Sequence, residues 1–526
     1  MTYRKTLLAT LAAILVPLSS SAQYAWQETD REHSKPHIGN NIEYKLEMQA
    51  SVANNTTPLW LNANKYGLSS LDKNNGYLRA AIARPLQADS ARRWAIGYCA
   101  DVAVPINYTS NFVVQQAYVE ARWLHGTLTA GAKEYPMELK NQQLSSGSQT
   151  LGINARPVPQ VRIALPEYWQ VPILGGWLHL KGHIAYGMMT DDSWQHSFTG
   201  KKSKYADDVL YHSKAGYLKI GNEYSTFPIS VELGLEMASE FGGKPYAVDR
   251  DGNMVRVKTD HGIKAFWNAF VPGGQDSSDG IYGNKEGNIL GSWVMRINYD
   301  RELWQLSLYA DHFFEDHSQM FMLDYNGYGD GEEWNVWKHH RYFRYALRDM
   351  MLGAELNIKY GTWLRNIVVE YLYTKYQSGP YNHDRTQNIS DHVAGIDDYY
   401  NHSVYTGWQH WGQVIGNPLF RSPIYNNDGT IYVHDNRFWA MHLGIGGQPT
   451  ERLAYRALAT YQVGWGTYDQ PFTSKHHNIS FLTEATYRFK HNWSLKAAYA
   501  MDFGSRQMLG HNAGAQLTVC KTGVFK

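Results

Sequence analysis

The chain has 526 residues with 49 Lys and Arg against 48 Asp and Glu, a formal net charge of +1. It therefore lacks the basic surplus that would draw it to nucleic acid. After residue 22 no apolar run reaches the roughly 20 residues of a membrane-spanning helix, which excludes a helical membrane protein. Two cysteines, Cys99 and Cys520, give no disulfide framework, although a single bond between them stays open. The 38 Tyr and 18 Trp are the distinctive feature, because amphipathic rings concentrate at membrane interfaces and on sugar-binding surfaces.

In chain order, Arg4 and Lys5 precede an apolar run from Leu7 to Leu18, and Ser20, Ser21 and Ala22 follow it. This pattern reads as a cleaved signal peptide over residues 1–22. Residues 23–40 are polar and read as a flexible leader. From Ile42 onward strand-like segments follow one another, at 42–54, 76–86, 94–104, 112–124, 126–133, 177–188, 210–220, 229–238 and 261–270. The series continues at 288–299, 303–313, 350–359, 363–375, 437–447, 453–464, 478–489, 493–503 and 513–519.

Several of these alternate over about ten residues, the length of a tilted transmembrane strand. Trp304, Leu306, Leu308 and Ala310 oppose Gln305, Ser307, Tyr309 and Asp311; Leu178, Leu180, Ile184 and Tyr186 oppose His179, Lys181, His183 and Ala185. Trp94, Trp177, Trp293, Trp363 and Trp493 stand where an interface girdle would place them. Connections are unequal, short at 490–492 but dozens of residues long at 315–349 and 376–436. Barrels of the outer membrane of Gram-negative bacteria show this asymmetry.

The expected fold is therefore all-β: residues 41–526 form a transmembrane antiparallel β-barrel of about 18 strands, with long external loops. A soluble sandwich or propeller would show charge on both strand faces or a blade-length repeat, and neither is found. A barrel of this size encloses more space than its side chains fill. The lumen is either a channel or is filled by inserted segments, and partial occlusion is the expectation. Residues 134–176 read as the main insert, with Pro157 and Pro159 stiffening the stretch before Gln160.

Candidate ligand contacts lie in the insert and the long loops. Asp324, Asn326, Asp330, Glu332 and Glu333 offer hard oxygens, but their spacing misses the EF-hand pattern, so a solvated acidic turn is preferred to a calcium site. Trp334, Trp337, Lys338, Arg341 and Arg344 follow, pairing rings with cations. This mixture suits an acidic polysaccharide, since rings stack on sugar faces and arginines fork onto carboxylates. Loop packing with an interface anchor is the competing reading. Trp408, Trp411 and Arg421 repeat the theme, as a binding loop or a packed lid, and Arg156, Trp169 and Trp194 complete the candidate set. No catalytic residue, metal or cofactor is assigned. His196, Ser197, Asp191 and Asp192 cluster in sequence, yet triads are recognised by geometry, and no GxSxG, HExxH or CxxC pattern occurs.

Two blocks carry a family resemblance. The first is Lys133, Leu144-Ser145-Ser146-Gly147, Asn154-Ala155-Arg156-Pro157-Val158-Pro159-Gln160, Leu165-Pro166, Lys181-Gly182 and Thr190-Asp191-Asp192; the second is Gly412-Gln413 with Gly416-Asn417-Pro418-Leu419. In this order they resemble the Wzi family of capsule assembly proteins, in its Bacteroidetes form. The resemblance implies an outer-membrane barrel of about 18 strands acting as a lectin that holds exported capsular polysaccharide, and no enzyme. The expected partners of a monomeric barrel are capsular or extracellular polysaccharide and outer-membrane lipid, and whether polysaccharide export machinery also docks stays open. The enterobacterial relative adds a periplasmic helical bundle, which the aperiodic leader does not support here. Two other readings stay open. One is a porin-like channel for a solute or oligosaccharide, with the same cations and rings lining a constriction; the other is a hydrolase using Asp191, Asp192 and His196.

Overall fold

The computed structural model describes residues 37–172, 174–222, 225–259, 262–271, 287–315, 327–328, 331–333, 335–338, 347–383 and 392–525. The stretch expected to be a signal peptide, 1–22, and most of the expected leader lie outside them. Eighteen strands form the barrel. The first nine are β1 (Ile42–Ala53), β2 (Asn74–Arg84), β3 (Trp94–Ile106), β4 (Val113–Trp123), β5 (Gly126–Ala132), β6 (Gln160–Gln170), β7 (Leu178–Met188), β8 (Leu210–Ile220) and β9 (Ile229–Phe241). The rest are β10 (Asn288–Asp300), β11 (Trp304–Glu315), β12 (Met350–Ile358), β13 (Asn366–Tyr373), β14 (Phe438–Gly447), β15 (Leu453–Gly466), β16 (Pro471–Arg488), β17 (Trp493–Gly504) and β18 (His511–Phe525). Each strand pairs antiparallel with the next, and β1 pairs with β18 from Ile42↔Phe525 to Ala53↔Gly514, so the sheet closes without an edge.

Strand periodicity places polar groups inside and apolar groups outside. On β11, Leu308 is 51% exposed on the outer face while Ser307, Tyr309 and Asp311 are buried inside. Outer rings meet at both strand ends: Trp94 with Trp123 and Tyr487 with Phe489 at the short-turn end, Trp439 with Tyr461 at the other. Among the described residues no helix is long and apolar enough to cross a membrane; strands make the crossing.

The strand count matches expectation because two errors cancel. Residues 160–170 form β6, although they fall in the stretch expected as an insert. Pro166 interrupts that stretch, but it sits at a bulge, where the register shifts between Leu165 and Trp169 and a missing N–H is tolerated. Residues 261–270, expected as a strand, instead contain the helix Ile263–Phe270. Its Ala265 and Ala269, four apart, pack on Phe241 against the outside of the barrel. Trp293 lies within β10 rather than at its end. Cys99 and Cys520 are free thiols, so the open disulfide is not formed.

Four connections fold back into the lumen: residues 54–73, 133–159, 189–209 and 399–436. Leu61, Leu144, Met189, Tyr400, Trp408 and Phe420 from these segments form one core with inward-facing strand residues such as Tyr309, Phe313 and Val368. Their backbone is mostly irregular, so its polar groups need partners, and the inner strand faces supply them. Glu370 accepts from Ser145 Oγ (2.5 Å), Ser146 N–H (2.8 Å) and Tyr309 OH (2.6 Å). Asp311 accepts from Lys140 Nζ and Gln149 N–H, and Asp502 accepts from Leu59 N–H. The plug thus occludes the lumen across this layer and leaves space below it, so the occlusion is partial, as expected.

Candidate functional site

The two sequence blocks meet at the centre of this plug. Asn417 Nδ2 donates to Gly147 O at 3.0 Å, and Asn154 Nδ2 donates to Val414 O at 2.9 Å. Gly152 permits the approach, because a Cβ there would lie 2.6 Å from Ile415 O. His410 bridges the same blocks across 254 residues. Its Nδ1 faces Arg156 O at 2.9 Å and its Nε2 faces Thr190 N–H at 3.1 Å. An N–H donor at Nε2 fixes the neutral Nδ1–H tautomer, and burial holds the imidazole below its ordinary pKa.

On the long-loop side of the plug, Arg156 lies 4.3 Å over the Trp411 ring and donates to Ser110 Oγ and Thr109 Oγ1 at 3.0 and 2.9 Å. Burial pulls its guanidinium down to about 10. Its Nε has no partner among the described residues. A rim cleft of about 530 Å³, separate from Arg156, is lined by Arg421, Asp428, His434, Phe472, Arg506 and Gln507, among others. Arg421 is committed to structure, since it donates to Met508 O, Asn426 Oδ1 and Tyr425 O. Arg506, Asn427 and Gln507 are exposed, and Phe472 is half-buried. Nearby, Arg437 stacks 3.6 Å over Tyr468 and Lys375 4.2 Å over Trp465. The cleft therefore offers cations, amides and ring faces together.

The expected contact residues separate on this scaffold. Arg156 and Trp411 come together as a stacked pair. Trp408 is 0% exposed, stacked on Tyr211 and donating to Thr150 O, and Trp194 is buried against Phe198. Both are packing residues and leave the set of ligand contacts. Trp169 pairs with Leu180 near the short-turn end of β6, away from the long loops, and leaves it too. Trp334, Arg341 and Arg344 lie outside the described residues. Trp337 and Lys338 form a two-residue strand opposite Gly327 and Tyr328, their side chains undescribed. Of the acidic-turn residues, Glu332 and Glu333 are exposed, and Asp324, Asn326 and Asp330 lie outside the description. The Phe472–Arg506 cleft was not read from the sequence, because its walls join residues 421–434 of a long connection to Gln470, Phe472, Arg506 and Gln507, which share no motif.

The neighbourhood suggestive of hydrolysis also separates. His196 pairs with Asp207 at 2.6 Å, Ser197 Oγ donates to Ser193 O, and Asp191 accepts from Gln195, Gln409 and Trp411 N–H.

No family model and no curated protein matches the chain. Among solved structures it is similar to Wzi of Escherichia coli, described as an outer-membrane, carbohydrate-binding β-barrel involved in group 1 capsule assembly. The TM-score is 0.51 at 12% identity, covering 90% of this chain and 83% of that one. The fold is that of an outer-membrane β-barrel. Other similar barrels are OprD of Pseudomonas aeruginosa (TM-score 0.42, 8% identity, 95% and 99% covered) and OccK8 of the same organism (0.45, 6%, 93% and 98%). At these identities the likeness concerns the fold alone. As an outer-membrane barrel the chain directs its long loops outward and its short turns to the periplasm.

Proposed function

We propose that the protein is a non-catalytic surface lectin that holds capsular or extracellular polysaccharide at the outer membrane. The observation that carries this reading is the filled lumen. A layer of fully buried side chains, Trp408, Tyr400 and Phe420 among them, lies across the barrel where a solute channel would need an opening. Its outer side presents the Arg156–Trp411 stack and the rim cleft, whose rings and cations match sugar faces and carboxylates. The Wzi likeness points the same way. The porin-like alternative requires the plug to move aside.

The test compares cell-bound with medium-released polysaccharide after gene deletion, at constant total synthesis. Retention falls on deletion, and an Arg506→Ala/Phe472→Ala double variant that folds and reaches the membrane reproduces much of the fall. Unchanged retention with reduced solute uptake would establish the channel instead.

A further inference from the structure

Beneath the plug the barrel is hollow. A chamber of about 1100 Å³ lies between the underside of the plug and the periplasmic mouth, and a lobe of about 1020 Å³ adjoins it at Glu232 and Arg296. The first volume lies just above the roughly 300–1000 Å³ that encloses a small-molecule ligand. Over much of its wall the charges cancel in pairs. Arg79 faces Asp101, Glu134 and Glu47, and Arg296 meets Glu355 at 2.8 Å.

The wall from β15 to β18 differs. Arg456, Arg488 and Lys496 project from it, the Lys65 amine reaches it from the plug, and the carboxylate of Glu484 lines the same space. Arg456 takes that carboxylate at 2.9 Å, while Lys496 lies 3.9 Å from it. Glu47, on the next strand, accepts from Tyr77 OH at 2.6 Å. Lys65 donates to Gln516 Oε1 at 2.6 Å, and burial together with the charge of Lys496 pulls its ammonium down to about 7. Tyr66 and Tyr455 line the same space, and Asn64 Oδ1, also in the lining, has no partner among the described residues.

We infer that this wall binds the anionic groups of an acidic oligosaccharide entering from the periplasm. The carboxylates would offset the local surplus of positive charge, and the amides and tyrosines would meet hydroxyls and ring faces. The charge and the volume stand on geometry alone; the choice of a sugar as carrier rests on the polysaccharide reading above. The site lies on the opposite side of the plug from the rim cleft. A glycan is therefore met on both sides of the membrane without passing through the plugged layer.

The test uses the full mature chain, refolded in detergent and carrying Arg506→Gln so that the rim cleft contributes little. Titration calorimetry compares tetragalacturonate, its methyl ester and inorganic pyrophosphate. The acid form is expected to bind and to weaken with salt. Esterification, or Arg488→Gln with Lys496→Gln, is expected to weaken it about tenfold. Lys496→Gln alone gives a smaller loss and guards against misfolding of the double variant, which heat-dependent gel mobility monitors. An ester that binds as well as the acid, or a double variant that binds as well as its parent, overturns the inference. Pyrophosphate binding as tightly as the sugar overturns the oligosaccharide assignment. A chamber that fails to bind, where deletion still lowers surface retention, sinks this inference alone; retention unchanged by deletion, with intact chamber binding, sinks the surface reading alone.

Discussion

Asp435 lies fully buried beside the rim cleft, where its Oδ1 accepts Gly466 N–H at 3.0 Å, and burial pushes its carboxyl up to about 7. Because the folded pKa stands above the unfolded value, the protonated form favours the fold. The stability it contributes is fully present below about pH 4 and is lost as pH rises through about 7. Asp435→Asn, which mimics the neutral acid, should flatten that part of the pH dependence of urea unfolding in micelles. A slope unchanged by the substitution would remove Asp435 as its source. Trp408 offers a second residue-scale test. Its ring is stacked on Tyr211 at a 5.8 Å centroid distance and its N–H is used by Thr150 O. Trp408→Ala should cost about 3–5 kcal/mol, read in the same unfolding measurement. Sequence gave Trp408 and Trp411 equal standing, since both sit in one aromatic, proline-bounded loop. Burial separates them, because Trp411 keeps an exposed face beside Arg156 while Trp408 has none.

Among elements, the plug depends on the barrel wall more than on its own secondary structure. Glu370 accepts three hydrogen bonds from groups on the plug and on β11. Glu370→Ala would orphan Ser146 N–H and two hydroxyls in the interior, at about 1–3 kcal/mol for each group left unpaired. The plug should loosen before the barrel opens. Hydrogen exchange at residues 144–150 should therefore rise while exchange in β15–β18 stays slow, and uniform loosening of both would contradict the division. The strand errors belong to this scale as well. β6 was hidden by Pro166, whose cost disappears at a bulge, and the helix Ile263–Phe270 was mistaken for a strand because eight apolar-rich residues satisfy either period.

At the scale of the whole molecule, the filled lumen predicts low conductance for the intact protein in a planar bilayer. Replacing residues 138–153 by a short Gly-Ser linker should open steady, large-conductance events, because those residues carry much of the contact with Glu370, Asp311 and the 414–418 segment. A comparable conductance in the intact protein would favour the channel reading.

What the sequence by itself determined is the barrel: its class, its closure at about 18 strands, its polar interior and the side bearing the long loops. These are legible because a strand exposes its two faces within two residues, so alternation records the environment locally. The tertiary structure alone decided what fills the barrel and which aromatic residues remain exposed. Irregular loops carry no period, and the contacts that seat them, such as His410 on Arg156 or Asn417 on Gly147, join residues more than 250 positions apart whose meeting no local pattern records.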